Sequence, residues 1–499
     1  MNAPLRRTGV VVLVLFAMLF VNLNWVQGYR ADEYRTSRYN GRVQVAEYNH
    51  PRGKIALANT VVADSAETSD TLKYMRTYPF GPLYAHVVGY RPVNLETTDI
   101  ERLENDFLTG NATIQAGDRL TAIFTGKRAP GGIVQLTISQ AAQETAYKQL
   151  VENTRKVPKG AVVALDPATG ALLASVSTPS FDPNPLVVHN TEKATAAYRA
   201  LEANPDKPLA DRALSEIKPP GSTFKVITAA AAMADNALTA DSVIPGGSSY
   251  QPPESGSFTM KNAPGVNCPD QLTLKEALRI SCNTAFARLG VEVIKADRLK
   301  ATAKAFGFEE APLFTDDNKN AMGTATSRTG TMSEGGRVEP AFVAQSSIGQ
   351  KDVEMSPLQG ALVAATVANG GRQMRPFMVE RLQSADLSTV KETIPKEQRR
   401  PLDSGVATAL QDMMVAVVES GTGKNARVKG LRVGGKTGTA ENAEDAKDHG
   451  WFIGWAMRDG KPLVAVAVYL ENAGKGGSAE ASRIGGAVMK AYADENGRK

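Results

Sequence analysis

Pro219-Pro220-Gly221-Ser222-Thr223-Phe224-Lys225 leads into the apolar run Val226-Ile227-Thr228-Ala229-Ala230-Ala231-Ala232-Met233, and this stretch decides how the rest of the chain is interpreted. Two prolines and a glycine end any preceding helix, so Ser222 is expected at the N-cap of a buried helix. Lys225 follows on the same helix face. A lysine can activate a serine hydroxyl when burial or a nearby cation lowers the lysine pKa. The stretch therefore predicts either a nucleophile or a plain helix start.

The Ser-x-x-Lys spacing alone is weak evidence, because it recurs twice in the chain. Ser215-Glu216-Ile217-Lys218 runs into Pro219, which disfavours helix at the preceding residue. Ser388-Thr389-Val390-Lys391 lies in a polar stretch with no apolar run behind it. Only Ser222 has a buried helix after it, so its assignment depends on partners elsewhere in the sequence.

Length and composition indicate a globular protein of two or more domains, with 499 residues and a net charge of +5. No basic cluster is interleaved with aromatic residues, so nucleic acid is not expected as a partner. Cys268 and Cys282 are the two cysteines. A disulfide would close a loop of about 15 residues and add about 3 kcal/mol to stability. Two buried thiols are the alternative, and a metal site is not expected because the histidines lie far away in the sequence.

The N-terminus predicts an uncleaved membrane anchor. Arg6 and Arg7 precede Gly9–Val26, a stretch without charged residues that is long enough to span a bilayer. A cleaved signal peptide is the alternative, but no Ala-x-Ala-like site follows closely. Positive charge before the span places the N-terminus in the cytoplasm and the remaining chain outside. We therefore expect a single-pass protein of the cell membrane, with residues 1–29 as cytoplasmic tip and anchor.

Residues 30–135 are expected to form a small, mixed, non-catalytic domain of the dimerisation or pedestal kind. Lys54–Ala58 and His86–Tyr90 look like short strands, and Ala129–Gly132 is a boundary signal. Residues 136–499 are then the catalytic domain. The histidines of the small domain are interpreted as structural.

The catalytic domain is predicted to be of the α/β (α+β) class, with an antiparallel sheet flanked by helices. Apolar spacing predicts a helix over 140–153 after Ser139, and two apolar strands around a Pro/Gly turn predict a hairpin over 161–176. Helices are expected over 273–280, 284–293 and 356–367, followed near the C-terminus by three strands and a closing helix. In the break between the first two of these helices, Ser281 or Asn283 could also be a plain N-cap.

Gly430–Thr437 literally matches the phosphate-binding pattern G-x-x-x-x-G-K-[ST]. That loop needs a buried strand before it and a helix directly after it, whereas Asn425–Lys429 is polar and Gly438 follows at once. The glycines around Lys436 instead favour a strand that a substrate approaches along its backbone.

The two other Ser-x-x-Lys copies, at Ser215 and Ser388, are called the decoy motifs here. Apart from them, three short motifs occur once each along the chain, in the order Ser222-x-x-Lys225, Ser281-x-Asn283 and Lys436-Thr437-Gly438. Together these three motifs are strong evidence for a catalytic site. This is the motif set of penicillin-binding proteins and class A β-lactamases. The chain resembles the penicilloyl-serine transferases from about Gln140 onward, and more closely the class B penicillin-binding proteins. Gly435–Ala440 and His449–Gly454 also look like that class, and Ser-Cys-Asn in the middle motif is similar to an actinobacterial subgroup.

The resemblance implies a transpeptidase domain of the penicillin-binding protein and β-lactamase-like fold, acting as a peptidoglycan D,D-transpeptidase in wall synthesis during growth or division. Ser222 would form an acyl-enzyme with a stem peptide or a β-lactam, with Lys225 as general base. It further implies a proton-passing role for Ser281, a hydrogen bond from Asn283 to substrate and to Lys225, and substrate contacts by Lys436, Thr437, Gly438 and Thr439. The backbone N–H groups of Ser222 and Thr439 would form the oxyanion hole. No cofactor is implied, and other wall-synthesis proteins are candidate partners.

Several alternatives stay open on the sequence. A D,D-carboxypeptidase or a β-lactamase uses the same acylation and gives the acyl group to water. A non-enzymatic β-lactam sensor would need a cytoplasmic effector, yet only about eight residues precede the span. A purely structural role in a wall-synthesis complex is a further possibility. A Ser-His-Asp hydrolase would use His449 or His189, but the G-x-S-x-G pattern is absent around Ser222.

Overall fold

The computed structural model describes residues 3–30, 45, 47–112, 131–234, 238–312, 314, 322–440 and 447–497. Ala129 and Pro130 of the predicted boundary lie outside these ranges. The strands are β1 Ile55–Leu57, β2 Thr60–Glu67, β3 Tyr74–Thr77, β4 Ile133–Leu136, β5 Gly160–Leu165, β6 Leu172–Thr178, β7 Val243–Pro245, β8 Ser249–Tyr250, β9 Met260–Lys261, β10 Gln271–Thr273, β11 Ser333–Glu334, β12 Arg337–Val338, β13 Gln373–Met374, β14 Val379–Gln383, β15 Thr389–Glu392, β16 Glu397–Arg399, β17 Arg432–Ala440, β18 His449–Arg458 and β19 Lys461–Leu470.

The α-helices connect and cover these strands. They are α1 Ala3–Asn24, α2 Ala85–Val88, α3 Asp99–Leu103, α4 Asn105–Leu108, α5 Gln140–Val151, α6 Thr191–Glu202, α7 Lys225–Met233, α8 Leu274–Ile280, α9 Asn283–Arg288, α10 Lys295–Ala305, α11 Pro340–Ser346, α12 Pro357–Ala368, α13 Ser404–Ser420 and α14 Gly477–Asn496. Short 3₁₀ turns are Gly81–Leu83, Asn184–Leu186, Gly221–Phe224 and Lys424–Ala426, and π-helical turns are Trp25–Tyr29 and Leu289–Ile294.

The N-terminal helix has the length and composition of a membrane span. Its apolar segment, Arg6–Tyr29, has a mean hydropathy of 2.3 and buries none of its surface against the rest of the chain. The predicted apolar helix is therefore present, and its exposed apolar surface fits a single-pass anchor.

A six-stranded sheet in the order β15-β14-β4-β1-β2-β3 forms the smaller part of the protein. The predicted strand at Lys54–Ala58 is confirmed as β1. The strand predicted at His86–Tyr90 is wrong, since α2 lies there and ends at Gly89, where φ is +76°. A short apolar run does not distinguish a strand from a buried helical turn. The outer strands β14 and β15 come from residues 379–392, so chain from both sides of residue 135 builds this sheet.

The larger part contains a five-stranded antiparallel sheet in the order β17-β18-β19-β5-β6. The predicted hairpin is β5–β6, and the predicted helix after Ser139 is α5, whose N-cap bond runs from the Ala142 N–H to the Ser139 hydroxyl. Alternate residues of β19 face opposite sides: Val466 packs with α5 and α14, whereas Ala467 packs with α12. The predicted mixed helix-and-sheet class is confirmed.

Strand β17 occupies one edge of this sheet and contains the Lys436 motif. Its glycines leave room for aromatic rings of β18, because a Cβ on Gly434 would lie 2.3 Å from the Trp455 ring and one on Gly435 would lie 2.5 Å from the Phe452 ring. The phosphate-loop alternative is excluded, because these residues pair with β18 as a regular strand.

Candidate active site

Ser222 lies within the 3₁₀ turn Gly221–Phe224, which runs directly into α7. The predicted N-cap role of Ser222 is wrong, because Pro220 is the residue that precedes the turn. Gly221, with φ of +52°, donates its N–H to the Gly349 oxygen at 2.9 Å, and the turn begins two residues earlier than expected. Since a 3₁₀ turn has three residues per turn, Ser222 and Lys225 still share one side.

The serine turn packs directly against β17. A Cβ on Gly221 would lie 2.3 Å from the Thr439 oxygen, and a Cβ on Gly438 would lie 2.5 Å from the Pro220 oxygen. The two backbones approach so closely that only glycine fits at both positions. This contact fixes Ser222 relative to the edge strand.

Alanine at position 438 is expected to lower the rate constant for acylation by a β-lactam by about 100-fold, because a displacement near 1 Å at a reacting centre costs about that much. The added methyl must push the serine turn away from β17. Stopped-flow or gel-based labelling with a fluorescent penicillin measures the rate, and thermal unfolding checks the fold. An unchanged rate in the folded variant would contradict the tight contact.

Lys225 is fully buried and is held by the middle motif. Its Nζ donates to Asn283 Oδ1 at 2.6 Å, to the Ser281 carbonyl oxygen at 2.9 Å and to the Ser281 hydroxyl at 3.3 Å. Lys436, also fully buried, donates to the same hydroxyl at 2.9 Å and to the Thr437 oxygen at 3.0 Å. The hydroxyl of Ser281 therefore links the two lysines.

Both buried lysines have a lowered pKa. Burial, and secondly the charge of Lys436, hold the pKa of Lys225 well below its usual range. Burial lowers the pKa of Lys436 to about 7. Within the described part of the chain neither amine pairs with a carboxylate. Since both causes act on Lys225, its pKa is lowered by the neighbouring charge as well as by burial, which favours the neutral amine that a general base requires.

Ser281 and Asn283 reach Lys225 because the chain reverses between α8 and α9. Ser281 ends α8 in the left-handed conformation, with φ of 63° and ψ of 42°. Cys282, and neither Ser281 nor Asn283, is the N-cap of α9, so the plain N-cap alternative for those two side chains is wrong. Both side chains are thereby free to face the lysines. The predicted disulfide between Cys268 and Cys282 is present and ties this break to the preceding loop.

Replacing both cysteines by serine is expected to lower the free energy of unfolding by about 3 kcal/mol, because the bridge spans 14 residues and restricts the unfolded chain. Denaturant titration with and without reductant measures the change. The serine variant should not respond to reductant. Equal midpoints for the oxidised and reduced parent protein would contradict the prediction.

Hydroxyl groups border β17 beside the lysines. The Thr437 and Thr422 hydroxyls are 2.5 Å apart, and the Thr439 hydroxyl lies 3.4 Å from that of Ser478. Sequence reasoning missed Thr422, which lies in a turn with no periodic pattern, and Ser478, which lies in the first turn of α14. The glycines on both sides of Thr422 were the available signal.

The histidines do not enter the site. His449 Nδ1 accepts from the Asn472 N–H at 3.1 Å, and burial lowers the pKa of His449 to about 4. His189 contacts the Asp70 carboxylate at 2.8 Å. Their described partners thus include neither Ser222 nor Lys225, which disfavours a Ser-His-Asp arrangement.

Comparison with known proteins agrees with this geometry. The family described as "Penicillin binding protein transpeptidase domain" matches residues 160–490, and the one described as "Penicillin binding protein A dimerisation domain" matches residues 52–134. The chain belongs to the penicillin-binding protein transpeptidase family. It is 38% identical to the peptidoglycan D,D-transpeptidase PbpA of Mycolicibacterium smegmatis over 98% of this chain and 99% of that protein. The protein of the same name from Mycobacterium tuberculosis H37Rv is 39% identical, with the same coverage.

Solved penicillin-binding protein structures have the same fold. The ceftriaxone acyl-enzyme of penicillin-binding protein A from M. tuberculosis superposes with a TM-score of 0.83 at 37% identity, covering 90% of this chain and 99% of that one. The penicillin G acyl-enzyme of the same protein gives 0.80 at 37% identity and covers 89% and 99%. The class B resemblance, including the similarity to penicillin-binding protein A of actinobacteria, is confirmed.

Proposed function

We propose that this protein is a serine-type peptidoglycan D,D-transpeptidase whose acyl-enzyme forms on Ser222 and is also formed by β-lactams. The observation that carries the proposal is the buried pair of lysines joined by the Ser281 hydroxyl, at the turn that contains Ser222. Relatives named peptidoglycan D,D-transpeptidase, and neighbours solved as β-lactam acyl-enzymes, support the same reaction class.

In the acylation step, neutral Lys225 takes the proton of the Ser222 hydroxyl while its oxygen attacks the carbonyl between the two terminal D-alanines. The peptide bond then breaks, and D-alanine leaves as an amine that receives a proton through Ser281. The backbone N–H groups of Ser222 and Thr439 stabilise the oxyanion. Donors of this kind contribute about 3 to 4 kcal/mol each. Ser222 is suited to this role because N–H groups at a helix start lack intrahelical acceptors.

Edge strand β17 supplies substrate binding. A peptide can add to the open edge as a further strand, which leaves Gly438 next to its backbone. The ammonium form of Lys436 and the hydroxyls of Thr437 and Thr439 are suited to the terminal carboxylate. The contact with Thr422 orients the Thr437 hydroxyl, since one of the two hydroxyls must donate to the other.

The molecule that accepts the acyl group from Ser222 distinguishes a transpeptidase from a carboxypeptidase or a β-lactamase. An amine from a neighbouring stem peptide gives a cross-link, whereas water gives a D,D-carboxypeptidase or, with penicillin as donor, a β-lactamase. We assign the amine because the mycobacterial relatives that cover nearly the whole chain are named transpeptidases.

Full-length protein in detergent, supplied with a pentapeptide donor and an amine acceptor, tests the assignment. Mass spectrometry should find the cross-linked product and released D-alanine. Hydrolysed donor as the sole product at saturating acceptor would instead make the protein a carboxypeptidase. Rapid turnover of a penicillin adduct would make it a β-lactamase, and a stable adduct with no peptide turnover would favour the sensor.

We further propose that residues 1–29 anchor the protein with the N-terminus in the cytoplasm, that 30–135 are a non-catalytic domain and that 136–499 contain the transpeptidase. The charge of Arg6 and Arg7 before the apolar helix supports this orientation. Contacts with other wall-synthesis proteins would then form on the outer side. A cysteine introduced at exposed Glu192 should react with an impermeant maleimide on intact spheroplasts, and one at Asn2 should not; the reverse result would invert the topology.

A further inference from the structure

Asn262 lies on the connection that follows β9, and its side chain joins this connection to helix α9. Its Oδ1 accepts hydrogen bonds from the N–H groups of Asn283 at 2.8 Å and Thr284 at 3.1 Å. Its Nδ2 donates to the Gly247 oxygen at 2.9 Å, and the Thr284 hydroxyl donates to that same oxygen at 2.8 Å. Both ends of the Asn262 amide are therefore used, which fixes its orientation.

The Asn262 side chain supplies a hydrogen-bond acceptor that the N-cap residue of α9 would otherwise supply. The first N–H groups of a helix need acceptors from outside the helix. Cys282, the N-cap residue, offers a disulfide sulfur that accepts from the Ala285 N–H at 3.4 Å, and sulfur is a weak acceptor. Asn262 thus supplies the oxygen acceptor for the first two N–H groups of the helix.

The same segment fixes the side chain of Asn283. Its Nδ2 donates to the Lys261 oxygen at 3.1 Å, so its Oδ1 must face Lys225, where it accepts from Nζ at 2.6 Å. If residues 261–262 moved, the Asn283 amide would lose the bond that distinguishes its oxygen from its nitrogen. Lys225 would then lose its shortest hydrogen bond.

We propose that Asn262 is a positioning residue for acylation: it fixes Asn283 and, through Asn283, the amine of Lys225. The proposal rests on the function proposed above, because the position of Lys225 matters only if Ser222 is acylated. Asn262 lies outside the three motifs, 21 residues before Asn283, and is brought to the site by the β8–β9 ribbon.

Full-length protein in detergent, titrated with a fluorescent penicillin over a range of pH, tests the role. Asn262→Leu removes donor and acceptor at similar volume, and we expect the acylation rate constant to fall about 100-fold through misplacement of Lys225. Asn262→Asp keeps the acceptor for both N–H groups and adds a negative charge near Lys225. It should retain most of the alkaline rate while its acidic limb moves to higher pH, because the charge raises the pKa of Lys225.

Asn267 offers matched controls on the same loop, since this residue is exposed. Asn267→Leu and Asn267→Asp should keep the parent rate and pH profile. A folded Asn262→Leu variant with the parent rate would overturn the proposal, as would an Asn262→Asp profile equal to that of Asn267→Asp. If Asn262→Leu does not fold, the comparison of the Asn262→Asp and Asn267→Asp pH profiles tests the proposal by itself. Labelling of Ser222→Ala by the penicillin would reject the proposed function itself. If Ser222→Ala is not labelled but Asn262→Leu is acylated at the parent rate, only the positioning role is rejected.

Discussion

Alanine in place of Ser222 is expected to abolish covalent labelling of the full-length protein by a fluorescent penicillin, a loss of at least about 10⁴-fold. The acyl bond forms at the Ser222 oxygen, and the variant has no other nucleophile at that point in the turn. Lys225 lies within the same site, but it is held by Asn283 and Ser281. Denaturing gel fluorescence after a short exposure to the label measures the adduct.

The two decoy motifs give matched controls for this loss. The Ser215 hydroxyl donates to the Asp211 oxygen at 2.5 Å, and Ser388 lies in the turn before β15, with its hydroxyl bonded to Asp386. Ser215→Ala and Ser388→Ala should therefore label at the parent rate. Labelling of Ser222→Ala at that rate, with the same unfolding midpoint as the parent, would remove Ser222 from the mechanism.

Much of the catalytic part was predictable from local sequence, because its elements have strong local signals. The hairpin β5–β6, helix α12 with its cap at Ser356, and strands β17 to β19 all follow from periodicity and turn residues. The three motifs also meet as the resemblance implied. Local patterns suffice here because each element buries one face or both faces in a continuous core.

Contacts distant in sequence were not predictable in this way. Leu382 of β14 pairs with Val134 of β4, and no local pattern indicates which distant strands pair. Asn262 and Thr422 are single polar residues in irregular segments, so they have no periodic signal. The early turn at Gly221 depends on the Gly349 oxygen from another part of the chain, and for this reason local sequence placed the N-cap at Ser222, two residues after its actual position at Pro220.

Removing the amine of Lys225 is expected to have the other largest effect. Lys225→Met should lower the acylation rate constant by about 10²- to 10⁴-fold at every pH, because the general base is lost while Ser222 remains. In the parent protein the rate should fall on acidification, when Lys225 gains a proton. That acidic limb should be absent from the Lys225→Met profile. If the Lys225→Met profile kept an acidic limb with the same midpoint as the parent, the group that titrates there would be another residue.

Lys436→Met tests whether the charge of Lys436 lowers the pKa of the general base Lys225. Burial and the charge of Lys436 both lower the pKa of Lys225, so removing that charge raises this pKa and moves the acidic limb to higher pH. Lys436→Arg retains the cation and should move the limb less, even if the larger side chain lowers the rate. Lys429→Met, an exposed change before β17, should leave the profile unaltered. A shift to lower pH in Lys436→Met would contradict the view that the second lysine keeps Lys225 in its neutral form.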